Sequence, residues 1–188
     1  PFAAEIMTGC GFDWLLIDAE HSPFTLDSLL PVLMAFNGLE TVPLVRVPWN
    51  DRVLIKQMLD LGAEGILVPM VNSAEEARQA VAACKYPPAG IRGFGPRRAS
   101  GYARTSKAYI QTANESLLVL VQIEHIEAVR RVEEILAVPG LDAVLLGPMD
   151  LSASMGRLGQ IDHPDVQSAI EKVIAAARAA GLPVGVPM

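Results

Sequence analysis

Lysine is scarce in this sequence, and none falls where an imine-forming enzyme needs one. Lys56, Lys85, Lys107 and Lys172 are the only lysines, and all lie in stretches that read as helix or in a long loop. A Schiff-base enzyme built on a parallel sheet needs a desolvated lysine at a strand end, so imine chemistry is disfavoured. Cysteine is scarcer still. Cys10 and Cys84 make no metal-binding or redox spacing. Both fall in stretches that read as helix, and buried thiols in a reducing cytoplasm are expected. Charged residues are only 19% of the chain and the net charge is -6, which argues against a general nucleic-acid binder. No apolar run is both long and charge-free enough to span a membrane. The N-terminus lacks the basic-then-apolar pattern of a signal peptide. A cytoplasmic protein with neither nucleic acid nor membrane as partner is expected.

What is present is apolar residues, 51% of 188, ample for one core. They recur in a pattern of glycine, any residue, an acid, any residue and an apolar run. The copies begin at Gly11-Phe12-Asp13, Gly62-Ala63-Glu64 and Gly140-Leu141-Asp142. Each reads as a helix stopped at glycine, a tight loop and a buried strand. Further strands are predicted over Thr41 to Val47, Leu117 to Ile123 and from Pro183. Helices fill the gaps: Leu26 to Phe36 with a kink at Pro31, one capped by Asn50, one opened by a Ser73/Glu76 capping box, and one from Pro164 to a stop at Gly181. Alternating strands and helices imply a parallel sheet. A repeat of roughly 25 residues without a GxGxxG fingerprint favours a barrel over a doubly wound nucleotide fold. A complete (β/α)8 TIM barrel has eight strands in about 250 residues. Six strands are predicted, so residues 1–188 are expected to be a single, incomplete TIM-barrel domain lacking its first strand and last βα unit.

Active sites of parallel barrels lie at the C-terminal ends of the strands, and the polar residues concentrate there. One strand runs into Asp18-Ala19-Glu20-His21, the next ends near Arg46, and later ones run into Gln122-Ile123-Glu124 and Gly147-Pro148-Met149-Asp150. Glu124 and Asp150 end consecutive strands. Two carboxylates without a suitably placed thiolate or imidazole favour a hard ion, Mg²⁺ or Mn²⁺; the alternative is that each caps the following helix. A histidine held by an aspartate is a common general base, which draws attention to Asp18 and His21, although His-Ser-Pro also reads as a surface turn. Arg46 is either a salt-bridge partner of Asp18 or Glu20 or a cation for a developing enolate. His125 and His163 are less well placed. The connection from Tyr86 to Ser116 is long and carries Arg92, Arg97, Arg98, Arg104 and Lys107; it reads either as a functional segment or as a solvated or subunit-contact one.

Taken together, Asp18 to His21, Val45-Arg46-Val47-Pro48, Arg92 to Ala99, Gln122 to Glu124 and Gly147 to Ser152 resemble the HpcH/HpaI aldolase family over essentially the whole chain. The resemblance implies a class II pyruvate aldolase of the phosphoenolpyruvate/pyruvate-binding barrel superfamily, acting in aromatic or sugar acid catabolism. It would cleave 4-hydroxy-2-oxo acids to pyruvate and an aldehyde through a metal-stabilised enolate. By motif, Glu124 and Asp150 would hold Mg²⁺ or Mn²⁺, with Co²⁺ an alternative. Gln122 and the backbone of Gly147, Pro148 and Asp150 would place the 2-oxo acid. Arg46 would contact its ketone oxygen, and His21, oriented by Asp18, would be the acid/base. Family members are commonly hexamers, so a homo-oligomer is implied. Two other readings stay open: a CoA-thioester lyase of the citrate lyase β-subunit type, and a non-catalytic barrel that binds 2-oxo acids.

Overall fold

The structure is a computed structural model, and it describes residues 1–187. In chain order the elements are α1 (Phe2–Thr8), β1 (Trp14–Asp18), α2 (Leu26–Met34), β2 (Val42–Arg46), α3 (Arg52–Asp60), β3 (Gly65–Val68), α4 (Ala74–Cys84), α5 (Ser106–Ser116), β4 (Leu118–Ile123), α6 (Ile126–Arg130), α7 (Val132–Leu136), β5 (Ala143–Leu146), α8 (Pro148–Ser154), α9 (Pro164–Ala180) and β6 (Val184–Gly185). Strand alternates with helix, and the strand pairings are parallel. This is an α/β fold consistent with part of a (β/α) barrel. No helix among the described residues is long and apolar enough to cross a membrane.

The chain divides into two compact units. One comprises residues 1–67 and 82–118, the other residues 68–81 and 119–188. In the first, β1 pairs with β2 from Trp14↔Val42 to Asp18↔Arg46, and β2 pairs with β3. Leu29, Leu33, Val45, Ile55, Leu59 and Ile66 are fully buried there. In the second, β4 pairs with β5 from Leu120↔Ala143 to Ile123↔Leu146, and β5 with β6. Helices α6, α7 and α8 pack on α9, which buries Val166, Ile170 and Val173 on one face.

The glycine-x-acid repeat has a physical basis in these turns. Gly62 and Gly140 both have left-handed backbones, with φ of 98° and 86°, which glycine adopts without a Cβ penalty. At Gly140 a Cβ would also lie 2.9 Å from Val81 Cγ1. The acid two residues on then meets the adjoining strand: Asp142 Oδ2 accepts the Val119 N–H at 2.7 Å.

Three local expectations need correction. Asp51, not Asn50, caps α3, accepting from Val53 N and Leu54 N at 2.8 and 2.9 Å. Glu76 N–H donates to Ser73 Oγ, as a capping box requires, and the Glu76 carboxylate takes the N–H of Asn72. Cys10 is exposed and lies beyond the end of α1, whereas Cys84 is buried. The connection 86–116 is not all loop, because its last third is α5.

The rest of that connection is tied to the first unit by its own polar groups. Lys85 Nζ, almost wholly buried, donates to the carbonyls of Asn114 (2.5 Å) and Leu117 (3.1 Å). The Asn114 side chain answers by pairing with both backbone groups of Tyr86, at 2.7 and 3.0 Å. Asn114→Ala strands those two groups, each a partly buried donor or acceptor. We expect a loss of about 1–3 kcal/mol, to be read as a lower urea midpoint at unchanged slope; an unchanged midpoint would show that water replaces the amide at no cost.

Candidate active site

The parallel register of β1 and β2 sets Asp18 opposite Arg46 at the strand ends. Their side chains form a two-pronged ion pair, Nε to Oδ1 at 2.9 Å and Nη2 to Oδ2 at 2.7 Å. This fork geometry matches guanidinium to carboxylate and is among the stronger ion-pair arrangements. Nη1 of Arg46 also lies 3.1 Å from Glu20 Oε2. Burial works against ionised Asp18, but the bonds from Arg46 and from the backbone N–H groups of His21 and Glu20 outweigh it, holding the carboxyl below its ordinary value.

Asp18 therefore meets His21 at the backbone, its Oδ1 accepting the His21 N–H at 3.3 Å. It does not hold the imidazole. The ring is 65% exposed, and its Nε2 lies 3.6 Å from Glu20 Oε2. The reason is competition: Arg46 occupies both oxygens of Asp18, so Glu20 is the carboxylate beside the ring. Glu20 belongs to this cluster as fully as Asp18.

The second unit builds its own cluster at the ends of β4 and β5. Glu124 follows β4 directly and is only 2% exposed. Its Oε1 accepts the backbone N–H of Met70 at 2.7 Å. Its Oε2 accepts Nε2 of Gln122, which is also buried. Strand alternation puts Gln122 and Glu124 on one face, which is why they meet. Gly147 N–H donates to the Ile123 carbonyl at 3.1 Å, drawing the end of β5 against that of β4. A Cβ at Gly147 would collide with Glu124 Oε2 and lie 2.7 Å from Glu124 Cβ and 2.8 Å from Gln122 Nε2. Only glycine lets the backbone approach so closely.

Buried Pro148 opens α8, and Asp150 lies in its first turn, exposed to solvent. Among the described residues no group of three or more His, Cys, Asp and Glu side chains is arranged to hold a metal ion. His125 and His163 are helix caps, their Nδ1 atoms accepting from Glu127 N and Asp165 N.

Met70 was not foreseen as part of this cluster. Its backbone is left-handed, with φ 54°, uncommon for a residue with a side chain. Nothing in Val-Pro-Met-Val announces that.

The basic loop lies elsewhere in the first unit. Arg98 donates to the Leu61 carbonyl, to the Leu33 carbonyl at 3.1 Å and to Asn37 Oδ1 at 2.8 Å. Arg92, buried, pairs with Asp60 at 2.7 Å and lies over the Tyr86 ring. These arginines hold helix ends and line a cavity of about 680 Å³ with Pro43 and Glu64. Those two residues mark the N-terminal ends of β2 and β3, opposite to the end that carries Arg46.

Comparison with known proteins identifies the family. Residues 1–185 match the profile of the HpcH/HpaI aldolase/citrate lyase family. A 4-hydroxy-2-oxo-heptane-1,7-dioate aldolase from Salmonella typhimurium is 51% identical over 189 residues, covering all of this chain and 72% of that protein. The crystal structure of a family member from Burkholderia cenocepacia superposes with a TM-score of 0.94 at 40% identity, covering 98% of this chain and 74% of the other. An HpcH/HpaI aldolase from Desulfitobacterium hafniense gives 0.90 at 37% identity, covering 98% and 71%. With a profile match along nearly its whole length and an aldolase relative at 51% identity, the chain belongs to the HpcH/HpaI aldolase/citrate lyase family and is an enzyme of the aldehyde-lyase class.

Proposed function

We propose that the protein is a class II pyruvate aldolase. It cleaves a 4-hydroxy-2-oxo acid to pyruvate and an aldehyde with the help of a divalent ion, on a single (β/α)8 barrel. The observation that carries this reading is Glu124. A carboxylate that is 2% exposed is costly to keep charged without a cation. Its two oxygens are aimed by Met70 N–H and the Gln122 amide, and Gly147 leaves the space beside it free of a side chain. With Asp150 it offers two hard oxygen donors, a set that suits Mg²⁺ or Mn²⁺ and leaves positions for water and substrate; Co²⁺ fits the same donors. When bound, such an ion supplies Lewis-acid polarisation of the 2-oxo acid's carbonyl.

The chain's own residues do the rest. Gln122 and the backbone from Gly147 to Asp150, with Pro148 opening α8, orient the 2-oxo acid. Cleavage removes the proton of the C4 hydroxyl and breaks the C3–C4 bond. The electron pair moves to the C2 oxygen as the aldehyde leaves, and a proton then completes the methyl group of pyruvate. Arg46 stabilises the charge on the C2 oxygen; its assignment to the same substrate rests on the motif resemblance. Its guanidinium is held in one plane by Asp18 and Glu20, so little reorganisation is needed when charge develops. His21 exchanges the proton, directly or through water, with Glu20 beside its ring. The resemblance extends the proposal to a cytoplasmic homo-oligomer.

The decisive measurement is deuterium exchange of pyruvate's methyl protons, followed by NMR with and without Mn²⁺ or Mg²⁺. Metal-dependent exchange is expected, and it requires no knowledge of the natural aldehyde. Its absence in folded, metal-loaded protein would overturn the proposal. Glu124→Gln keeps the side chain's shape but not its charge, and we expect exchange to fall by at least about 10²-fold, with weaker Mn²⁺ binding. Arg46→Lys keeps the charge but loses the fork. It should lower kcat for aldol cleavage by about 10²–10³-fold with little change in KM; wild-type kcat would remove Arg46 from the chemistry.

A further inference from the structure

We infer that Asn72 is a positioning residue that aims the carboxylate of Glu124, acting through the backbone of Met70. The inference rests on the proposed role of Glu124 as a metal ligand and adds a residue that role does not by itself require.

The argument begins with Met70. Its N–H is the donor to Glu124 Oε1, and its left-handed φ of 54° is disfavoured for any residue with a Cβ. Something must hold it there. The N–H and the carbonyl of one residue are related by its φ and ψ, so a bond to the Met70 carbonyl restricts the backbone conformations that keep the Met70 N–H directed at Glu124. Asn72 Nδ2 donates to that carbonyl at 3.1 Å.

Asn72 is itself anchored. Its backbone N–H donates to Glu76 Oε2 at 2.6 Å, and Glu76 N–H donates to Ser73 Oγ at 3.2 Å, at the start of α4. The Glu76 carboxylate reaches back to the residue before Ser73 and secures Asn72. A chain of hydrogen bonds runs from the first turn of α4 through Asn72 and Met70 to Glu124.

The orientation of the Asn72 amide is settled by the same contacts. Its Oδ1 is buried with no donor among the described residues. Flipping the amide would set Oδ1 against the Met70 carbonyl, acceptor against acceptor. An apolar side chain would avoid burying an unpaired oxygen, so what Asn72 contributes is its N–H.

The test compares wild type, Asn72→Ala, Glu124→Gln, Met70→Gly and the Asn72→Ala/Met70→Gly pair. Two readouts are used: Mn²⁺ affinity by water-proton relaxation, and the amide proton shift of residue 70 in the metal-free protein. We expect Asn72→Ala to weaken Mn²⁺ about tenfold and to move the Met70 amide upfield as its bond to the carboxylate loosens. Adding Met70→Gly should recover most of that affinity, because glycine adopts the left-handed conformation without the amide's help. If Asn72→Ala proves unfolded, Asn72→Asp replaces the donor with an acceptor at nearly constant shape and should show the same losses. Wild-type Mn²⁺ affinity and an unmoved Met70 amide in folded Asn72→Ala or Asn72→Asp, with Glu124→Gln still losing Mn²⁺, would overturn the role of Asn72 and leave the metal reading standing. Undiminished Mn²⁺ affinity in Glu124→Gln would instead overturn the metal reading and this inference with it.

Discussion

A buried carboxylate imposes conditions on everything near it. Glu124 is almost wholly removed from water, and an isolated charge there would be neutralised before it could be tolerated. Its surroundings answer in several ways at once. Gln122 is placed by strand alternation to donate to one oxygen, and Met70 is bent into a left-handed conformation to donate to the other. Position 147 carries no side chain, because a Cβ there would strike both Glu124 and Gln122. Each of these is a backbone or packing decision made elsewhere in the fold, and each has its effect at one carboxylate.

The first unit handles its acids differently. Asp18 and Glu20 are only partly buried, and they are compensated by Arg46. The parallel register of β1 on β2 makes this pairing nearly automatic, since Asp18 and Arg46 are register partners. The Asp18 carboxyl lies below its ordinary value, with desolvation opposed and outweighed by Arg46 and two backbone donors. Arg46 stays in one orientation as a result, and His21 is left to solvent and Glu20.

How much of this could be read in the sequence depended on what kind of signal carried it. The strands were legible within a residue or so because buried parallel strands are continuous apolar runs, and here each glycine-x-acid preface marks its turn. Residues at strand ends were legible for the same reason: a polar residue after an apolar run stands out, as Asp18, Arg46, Glu124 and Asp150 do. Helix α5 was not. Its sequence is mostly polar, and only Ala113 is buried on it, so there is no apolar stripe to detect. The choice between Asn50 and Asp51 as a cap turns on backbone dihedrals, which two adjacent good cappers do not reveal. Met70 was beyond reach because the usual marker of a left-handed residue is glycine or asparagine, and methionine is neither. The Asp18–His21 spacing suggested a carboxylate holding an imidazole, but spacing says nothing of the competition that Arg46 wins.

The contrast between Glu124 and Asp150 bears on the chemistry. Glu124 is buried and doubly hydrogen-bonded, whereas Asp150 is exposed in the first turn of a short helix. Under the proposed function the first is a ligand whose position is set before any ion arrives. The second lies where water and substrate exchange. A 2-oxo acid must displace water from an ion to be activated. One rigid donor and one solvent-facing donor allow that exchange while the ion stays in place; two buried donors would hold it as firmly but shut the substrate out. Gly147 stands between them in sequence and touches the rigid one, so the loop that brings Asp150 forward is the same loop whose missing side chain makes room beside Glu124.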